Sequence, residues 1–294
     1  MSPAFPTRAE EGSPWLEVLA SLAQHRTLTA AQVRAMHLPT LGIRRAQQLL
    51  ADLGGEGLAD RASGLRAQRI WFATARGIEV VRSVGALEGE PPILDRRSAA
   101  GRLMAHTLAV NDVGVAFVAA ARERGEEFGP LSWRHEVSHP MSAGGGRRRR
   151  FKVADAVLTY LRSEGAETVV EQRFLELDRA TRPAEGLARE LALYARLRRA
   201  EGPGGEPLWR ERYPAFPSVL CVLAGSRPDL LRRRREAVLA FLASDPALGS
   251  SPHPAIHICL LEDLCAQGPF APIFTEARAP GREVDWLGTE GGSR

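Results

Sequence analysis

What most constrains this chain is the way its apolar spacing changes over residues 14–88. Trp15, Leu16, Val18, Leu19 and Leu22 recur at helical intervals after Pro14. Thr29-Ala30-Ala31-Gln32 then forms a capping box, with Thr29 as N-cap and Gln32 as its partner at N3. The short helix it opens carries Val33, Met36 and Leu38 and stops at Pro39. A third helix is predicted from Thr40 to Leu53, ending at Gly54-Gly55. It sets Leu41, Ala46, Leu49, Leu50 and Leu53 on one face and Arg44, Arg45, Gln47 and Gln48 on the other. After it the period shortens to that of strands. Gly57–Asp60 and Arg69–Thr74 flank a turn at Ser63-Gly64 and predict a hairpin, and Ile78, Val80, Val81 and Val84 predict a closing helix.

Three helices, a hairpin and a helix in that order resemble a winged helix-turn-helix. The resemblance makes residues 40–53 the recognition helix, offering Thr40, Arg44, Arg45 and Gln48 to a DNA groove. Arginine and glutamine can each meet a base edge with two hydrogen bonds, and arginine also holds phosphate. The wing adds Arg61, Arg66 and Arg69. Nine arginines stand against six acids in residues 14–88. The same fold also serves as a protein-interaction module, so the partner stays open at this level.

Beyond residue 88 the pattern changes. Residues 89–97 belong to a Gly/Pro/acid-rich stretch that reads as a linker. A long helix is predicted over Ser98–Arg124. Strands follow at Trp133–Val137, Phe151–Leu161 and Thr168–Asp178, then a helix at Pro183–Arg199, a strand at Ser218–Ala224, a helix at Asp229–Leu242 and a strand at Ala255–Leu261. The expected layout is therefore an N-terminal winged helix (14–88), a linker (89–97), an α/β domain of α+β character with αβββαβ order (98–278) and a loose polar tail (279–294).

Composition removes several classes of function. At 294 residues, 44% hydrophobic and 25% charged, the chain can bury a core and is neither disordered nor a rod. Its three cysteines form no CxxC pair, which argues against a disulfide framework and a cysteine-rich zinc site. No unbroken apolar run approaches 18 residues and the N-terminus lacks an apolar leader, so a cytoplasmic protein away from membranes is expected. The net charge is only +4, and Lys152 is the single lysine among many arginines. A GC-rich coding sequence accounts for that bias, so local charge carries the argument.

Three acids are placed where acids are costly. Asp155 lies inside one predicted strand; Glu176 and Asp178 lie near the end of the next. Residues two apart in a strand share a face. Buried carboxylates need a partner or a metal, and a cluster of them suits magnesium or manganese. Such a metal polarises phosphate and activates water. Asp155, Glu176 and Asp178 are thus the candidate catalytic and metal-binding residues, with no organic cofactor expected. Lys152, three residues from Asp155, is expected to point to the opposite face of a regular strand. The run Arg147, Arg148, Arg149 and Arg150 follows three glycines and is a candidate phosphate contact or a solvated loop.

The order α-β-β-β-α-β, with Ala154-Asp155 on the second strand and Glu176-Leu177-Asp178 on the third, resembles the PD-(D/E)XK nucleases. Asp178 stands where their motif has lysine. More narrowly, the chain resembles the replication-relaxation proteins of actinobacterial plasmids and integrated elements. The carrying segments are the N-terminal helices, His106–Asp112, Ala154-Asp155-Ala156, Phe174–Thr181 and Leu187–Tyr194. Glu190 replaces a lysine usual in that family. The resemblance implies a DNA-associated role in plasmid replication, relaxation or mobilisation. Its expected partners are double-stranded DNA and other replication or mobilisation proteins, and a homodimer is open. Two function classes follow: a metal-dependent nickase or endonuclease, and a non-catalytic DNA-binding regulator or accessory protein on an inactive nuclease fold. Other signatures are weak. No His-x-His occurs, the pairs His135/His139 and His253/His257 lack a third ligand, and no phosphate-binding glycine loop is present.

Overall fold

The apolar periodicities resolve into two units, one running through Ala119 together with Gly129–Ser132, the other comprising Ala120–Phe128 and Trp133 onward. The fold is that of a computed structural model, which describes residues 13–64, 68–87, 89–142, 150–249 and 253–290.

In the first unit, α1 (Pro14–His25), β1 (Leu28–Thr29), α2 (Ala30–His37) and α3 (Ile43–Gly55) precede the hairpin of β2 (Ala59–Ser63) and β3 (Arg69–Ala73), and α4 (Ala75–Ser83) closes the order. The Thr29 capping box forms with both bonds in place, Gln32 N–H to Thr29 Oγ1 at 3.1 Å and Thr29 N–H to Gln32 Oε1 at 3.0 Å. β1 joins the hairpin in a three-stranded antiparallel sheet ordered β1-β3-β2. The helices and the hairpin follow one another in the order expected from the sequence, with a short first strand added between α1 and α2.

Two boundaries differ from expectation. Helix α3 starts at Ile43, after Gly42 as N-cap, so Thr40 lies in the preceding turn. It continues through Gly54-Gly55, because the left-handed turn that ends it is made by Gly57 (φ 70°). The long helix predicted over 98–124 is two helices, α5 (Arg96–Ala99) and α6 (Met104–Arg124). Asp95 caps α5, accepting from Ser98 N–H at 2.7 Å, and a turn at Gly101 separates the two.

Helix α6 is 21 residues long and apolar enough to pass for a membrane span, but 61% of that stretch is buried in the protein. Asn111, fully buried on α6, donates to the Thr27 carbonyl at 2.9 Å, while Gln32 of α2 donates to Asp112 at 2.7 Å. These bonds tie α6 into the core of the first unit.

The second unit is built on a seven-stranded mixed sheet ordered β10-β9-β8-β7-β6-β5-β4. Its elements are β4 (Trp133–Pro140), β5 (Phe151–Glu164), β6 (Glu167–Asp178), α7 (Ala184–Arg198), β7 (Ser218–Leu223), α8 (Pro228–Ala243), α9 (Pro246–Gly249), β8 (Ile256–Leu260), α10 (Leu261–Gln267), β9 (Phe274–Glu276) and β10 (Glu283–Val284). Strands β4, β5 and β6 form an antiparallel meander; β6, β7 and β8 run parallel, joined by helical crossovers. Helices α7 and α8 cover one face, where Leu187, Leu191, Tyr194, Val238 and Leu242 pack on Phe174, Val219, Cys221 and Ile258.

The segment expected to be a loose tail adds a strand to the sheet. β10 pairs with β9, and Val284 and Trp286 are fully buried. Two apolar side chains two residues apart are enough to draw this polar stretch onto the sheet edge.

Candidate functional site

The face of β6 that meets α7 carries Phe174, then Glu176, then Asp178. Across the ladder Ala156 pairs with Leu175, which sets Asp155 beside Glu176 at the end of the antiparallel pairing. There the ladder changes character: the Leu177 N–H donates to Asp155 Oδ2 at 2.8 Å, so a side chain stands in for the next strand carbonyl. Glu136, between the two β4 residues that pair with Ala154 and Ala156, takes φ 49°.

That irregularity decides where Lys152 points. Ala154 and Val157 are three residues apart, yet both join the same core under α7. Strand alternation therefore breaks at Asp155, opposite the irregular Glu136 of β4, with the β4–β5 register unchanged on either side. Lys152, expected on the opposite face, is turned to the same face as Glu176. Its ammonium lies 2.8 Å from Glu176 Oε1 and 3.1 Å from Glu190 Oε2 of α7, and 4.8 Å from the centre of the Tyr194 ring. The Tyr194 hydroxyl donates to the same Glu176 Oε1 at 2.6 Å.

Lys152, Glu176 and Tyr194 are almost wholly withdrawn from water, the first two having side chains only 3% and 5% exposed, while Glu190 keeps 40% of its side chain in solvent. Burial raises the Glu176 pKa above the usual carboxylate range; Lys152 opposes the rise and the neighbouring Asp155 adds to it. Burial, then Glu176, pushes the Tyr194 hydroxyl well above the ordinary tyrosine range, so it remains a donor.

Asp178 is engaged differently. Its Oδ2 accepts from Arg234 Nε at 2.5 Å and from the Ala180 N–H at 3.2 Å; its Oδ1 accepts from Arg234 Nη2 at 3.1 Å, with Arg182 Nε at 3.8 Å. The structure thus brings Asp155 and Glu176 together and gives Asp178 to arginines. Among the described residues no group of three or more His, Cys, Asp or Glu side chains is placed to hold a metal ion. Arg173, on the opposite face of β6, takes no part: it pairs with Glu171 at 2.8 Å, over the Trp286 ring.

Lys152, Glu190 and Tyr194 belong to this cluster although the sequence pattern did not mark them as site residues. Lys152 carried a signal all the same. A chain that uses arginine everywhere else keeps one lysine, and a compact ammonium fits a closed carboxylate pocket that a planar guanidinium does not.

In the first unit, Thr40, Arg44, Arg45, Gln47 and Gln48 are all exposed, while Ala46, Leu49, Leu50 and Leu53 are buried beneath them. Gln48 donates to Asp52 at 2.7 Å along the helix. Arg61 and Arg69 sit on one face of the hairpin and are exposed, with Arg61 5.9 Å from the centre of the Trp71 ring. Arg150 is exposed at the start of β5. Arg66, Arg147, Arg148 and Arg149 lie outside the described residues.

No curated protein matches the sequence. Among solved structures, restriction endonuclease FokI aligns with a TM-score of 0.28 and 11% identity, over 87% of this chain and 43% of that one. This chain therefore spans less than half the length of that structure. A family model described as replication-relaxation matches residues 19–205, well over half of the sequence. By that match the chain belongs to the replication-relaxation family.

Proposed function

We propose that this is a cytoplasmic DNA-processing protein of a plasmid or mobile element, which binds duplex DNA through α3 and the hairpin and nicks it at Asp155, Glu176 and Lys152. The observation that carries the reading is the 2.8 Å pair between Lys152 and Glu176 beside Asp155. It gathers two acids and a lysine at one place, although the sequence has aspartate and glutamate where the family motifs carry lysine.

The donor set suits one divalent cation. Lys152 and Tyr194 both engage Glu176 through Oε1, and Asp155 is half-buried next to it. Asp155 and Glu176 would hold magnesium or manganese; Asp178, committed to Arg234, would not. A bound divalent cation polarises the phosphodiester and lowers the pKa of water. The rest falls to the chain itself. Burial favours a protonated Glu176, and Lys152 opposes that shift, favouring the ionised form that would bind a cation. Tyr194 fixes the carboxylate rotamer through its hydroxyl.

The alternative, a DNA-binding accessory protein with an inactive core, is favoured by the near-complete burial of Lys152 and Glu176. Nicking of supercoiled plasmid with manganese separates the two. The nickase reading expects nicking by the wild type and its loss in Asp155→Asn and Glu176→Gln, with duplex affinity unchanged. A wild type that binds duplex DNA but leaves it intact, with no metal-dependent rise in melting temperature, supports the accessory protein instead.

A further inference from the structure

Asp178 is nearly inaccessible, and the groups it engages are not symmetric. One carboxylate serves two guanidiniums. Arg234 of α8 grips it through both Nε and Nη2, with 13% of its own side chain exposed, while Arg182, from the loop after β6, approaches with only its Nε and leaves 40% of its side chain in solvent. The loops that follow β6 and β7 are pressed together here. A Cβ on Gly225 would meet the Arg179 carbonyl at 2.8 Å, and Gly225 itself has φ 81°, so only glycine fits. The Ala224 N–H donates to the Asp178 carbonyl at 2.8 Å. These loops contribute Arg179 and Arg227 as well, and the acids in the first turns of the helices that follow, Glu185 and Asp229, each stand beside a further arginine, Arg189 and Arg227. The carboxyl ends of parallel strands β6 and β7 therefore carry more guanidinium than carboxylate.

An internal ion pair needs one cation per carboxylate. A second, solvent-facing arginine anchored on the same buried acid is how a protein fixes a guanidinium for an outside anion. The anchor removes much of the rotamer entropy that an arginine otherwise loses on binding. Asp178 is two residues from Glu176 on the same strand face, roughly 7 Å along the strand. The Cys221 thiol, paired with Glu176 across β6 and β7, is raised by burial and then by Asp178 and Glu176, while Arg182 opposes, so these groups share one environment.

We propose that Arg182 and Arg234, anchored on Asp178, form a clamp for a backbone phosphate of the DNA strand that enters the Asp155–Glu176 site. Asp178 is then a positioning residue and not a metal ligand. The inference rests on the reading of this unit as DNA-processing.

The test is duplex affinity of the full chain measured against salt, with nicking measured separately. Arg182→Gln should lower the slope of log affinity on log salt by about 1, as expected for one lost phosphate contact. Asp178→Asn makes the site more positive, so a plain charge effect would tighten DNA binding; loss of the anchor should weaken it. An unchanged slope in Arg182→Gln, which is exposed and expected to fold, overturns the clamp whatever Asp178→Asn does. So does a melting-temperature rise with inorganic phosphate that depends on Arg182 without any change in the DNA slope, because the ligand would then be a small phosphate. If the wild type never nicks but Arg182→Gln still lowers the slope, the clamp stands and the nickase reading falls. If the wild type nicks and the slope is unchanged, the clamp alone falls.

Discussion

The arginine face of α3 and the Lys152–Glu176 cluster are both charged, and they are built in opposite ways. On α3 the charges come from neighbours in sequence, stand in water and rest on a buried apolar stripe. In the cluster, Lys152, Glu176 and Tyr194 come from β5, β6 and α7 and meet with almost no solvent, with Glu190 of α7 at its exposed rim. A solvated face costs little to keep and little to change. A buried pair is costly to break, because the remaining charge has no water to receive it. The difference gives each region its own experimental signature.

The largest effect should come from the cluster. Lys152→Ala leaves Glu176 buried with only a hydroxyl donor and should cost about 3–5 kcal/mol of stability at neutral pH. The loss should shrink as pH falls, because Glu176, already raised by burial, then takes a proton. Denaturant unfolding of Lys152→Ala, Glu176→Gln and the double variant checks this. A double variant as unstable as the sum of the two single ones would mean that the pair is not coupled.

A second effect belongs to the same α/β unit but not to the cluster. Burial holds His139 and His257 at pKa values of about 4, against 6.5 for an ordinary histidine. Both are therefore neutral in the fold while the unfolded chain takes up protons, so stability should decline as pH drops from 6.5 to 4 and level off below. The contribution is on the order of 3 kcal/mol for each at most. Replacing His257, whose Nδ1 has no hydrogen-bond partner, with Gln should flatten this acid limb. An acid limb as steep as that of the wild type would place the proton uptake elsewhere.

The same contrast explains what was legible in the sequence. Helix α3, its buried stripe and the Thr29 capping box depend on residues within a few positions of one another, so periodicity and cap chemistry find them. The succession of strands β4 to β8 along the chain was legible too, from apolar runs such as the predicted strand Ser218–Ala224. The orientation of Lys152 was not, because it depends on one break in alternation at Asp155 and on pairing with β6, neither of which leaves a local mark. Asp178 was legible as a buried acid, but its partner Arg234 lies 56 residues away on α8. Trp286 and Val284 looked like a polar tail because a two-residue edge strand is too short to show a period.

One kinetic comparison tests the central claim most directly: the dependence of manganese-supported plasmid nicking on DNA concentration, in Arg44→Ala and in Lys152→Met. Arg44→Ala should weaken DNA binding by about 1–3 kcal/mol where the side chain meets a base, shifting the half-saturating concentration and sparing the saturated rate. Lys152→Met should lower the saturated rate on the order of 10²-fold at unchanged affinity, as expected for a lost electrostatic partner at a reacting centre. A wild type without nicking activity, or a Lys152→Met variant that nicks at the wild-type rate, would contradict the account.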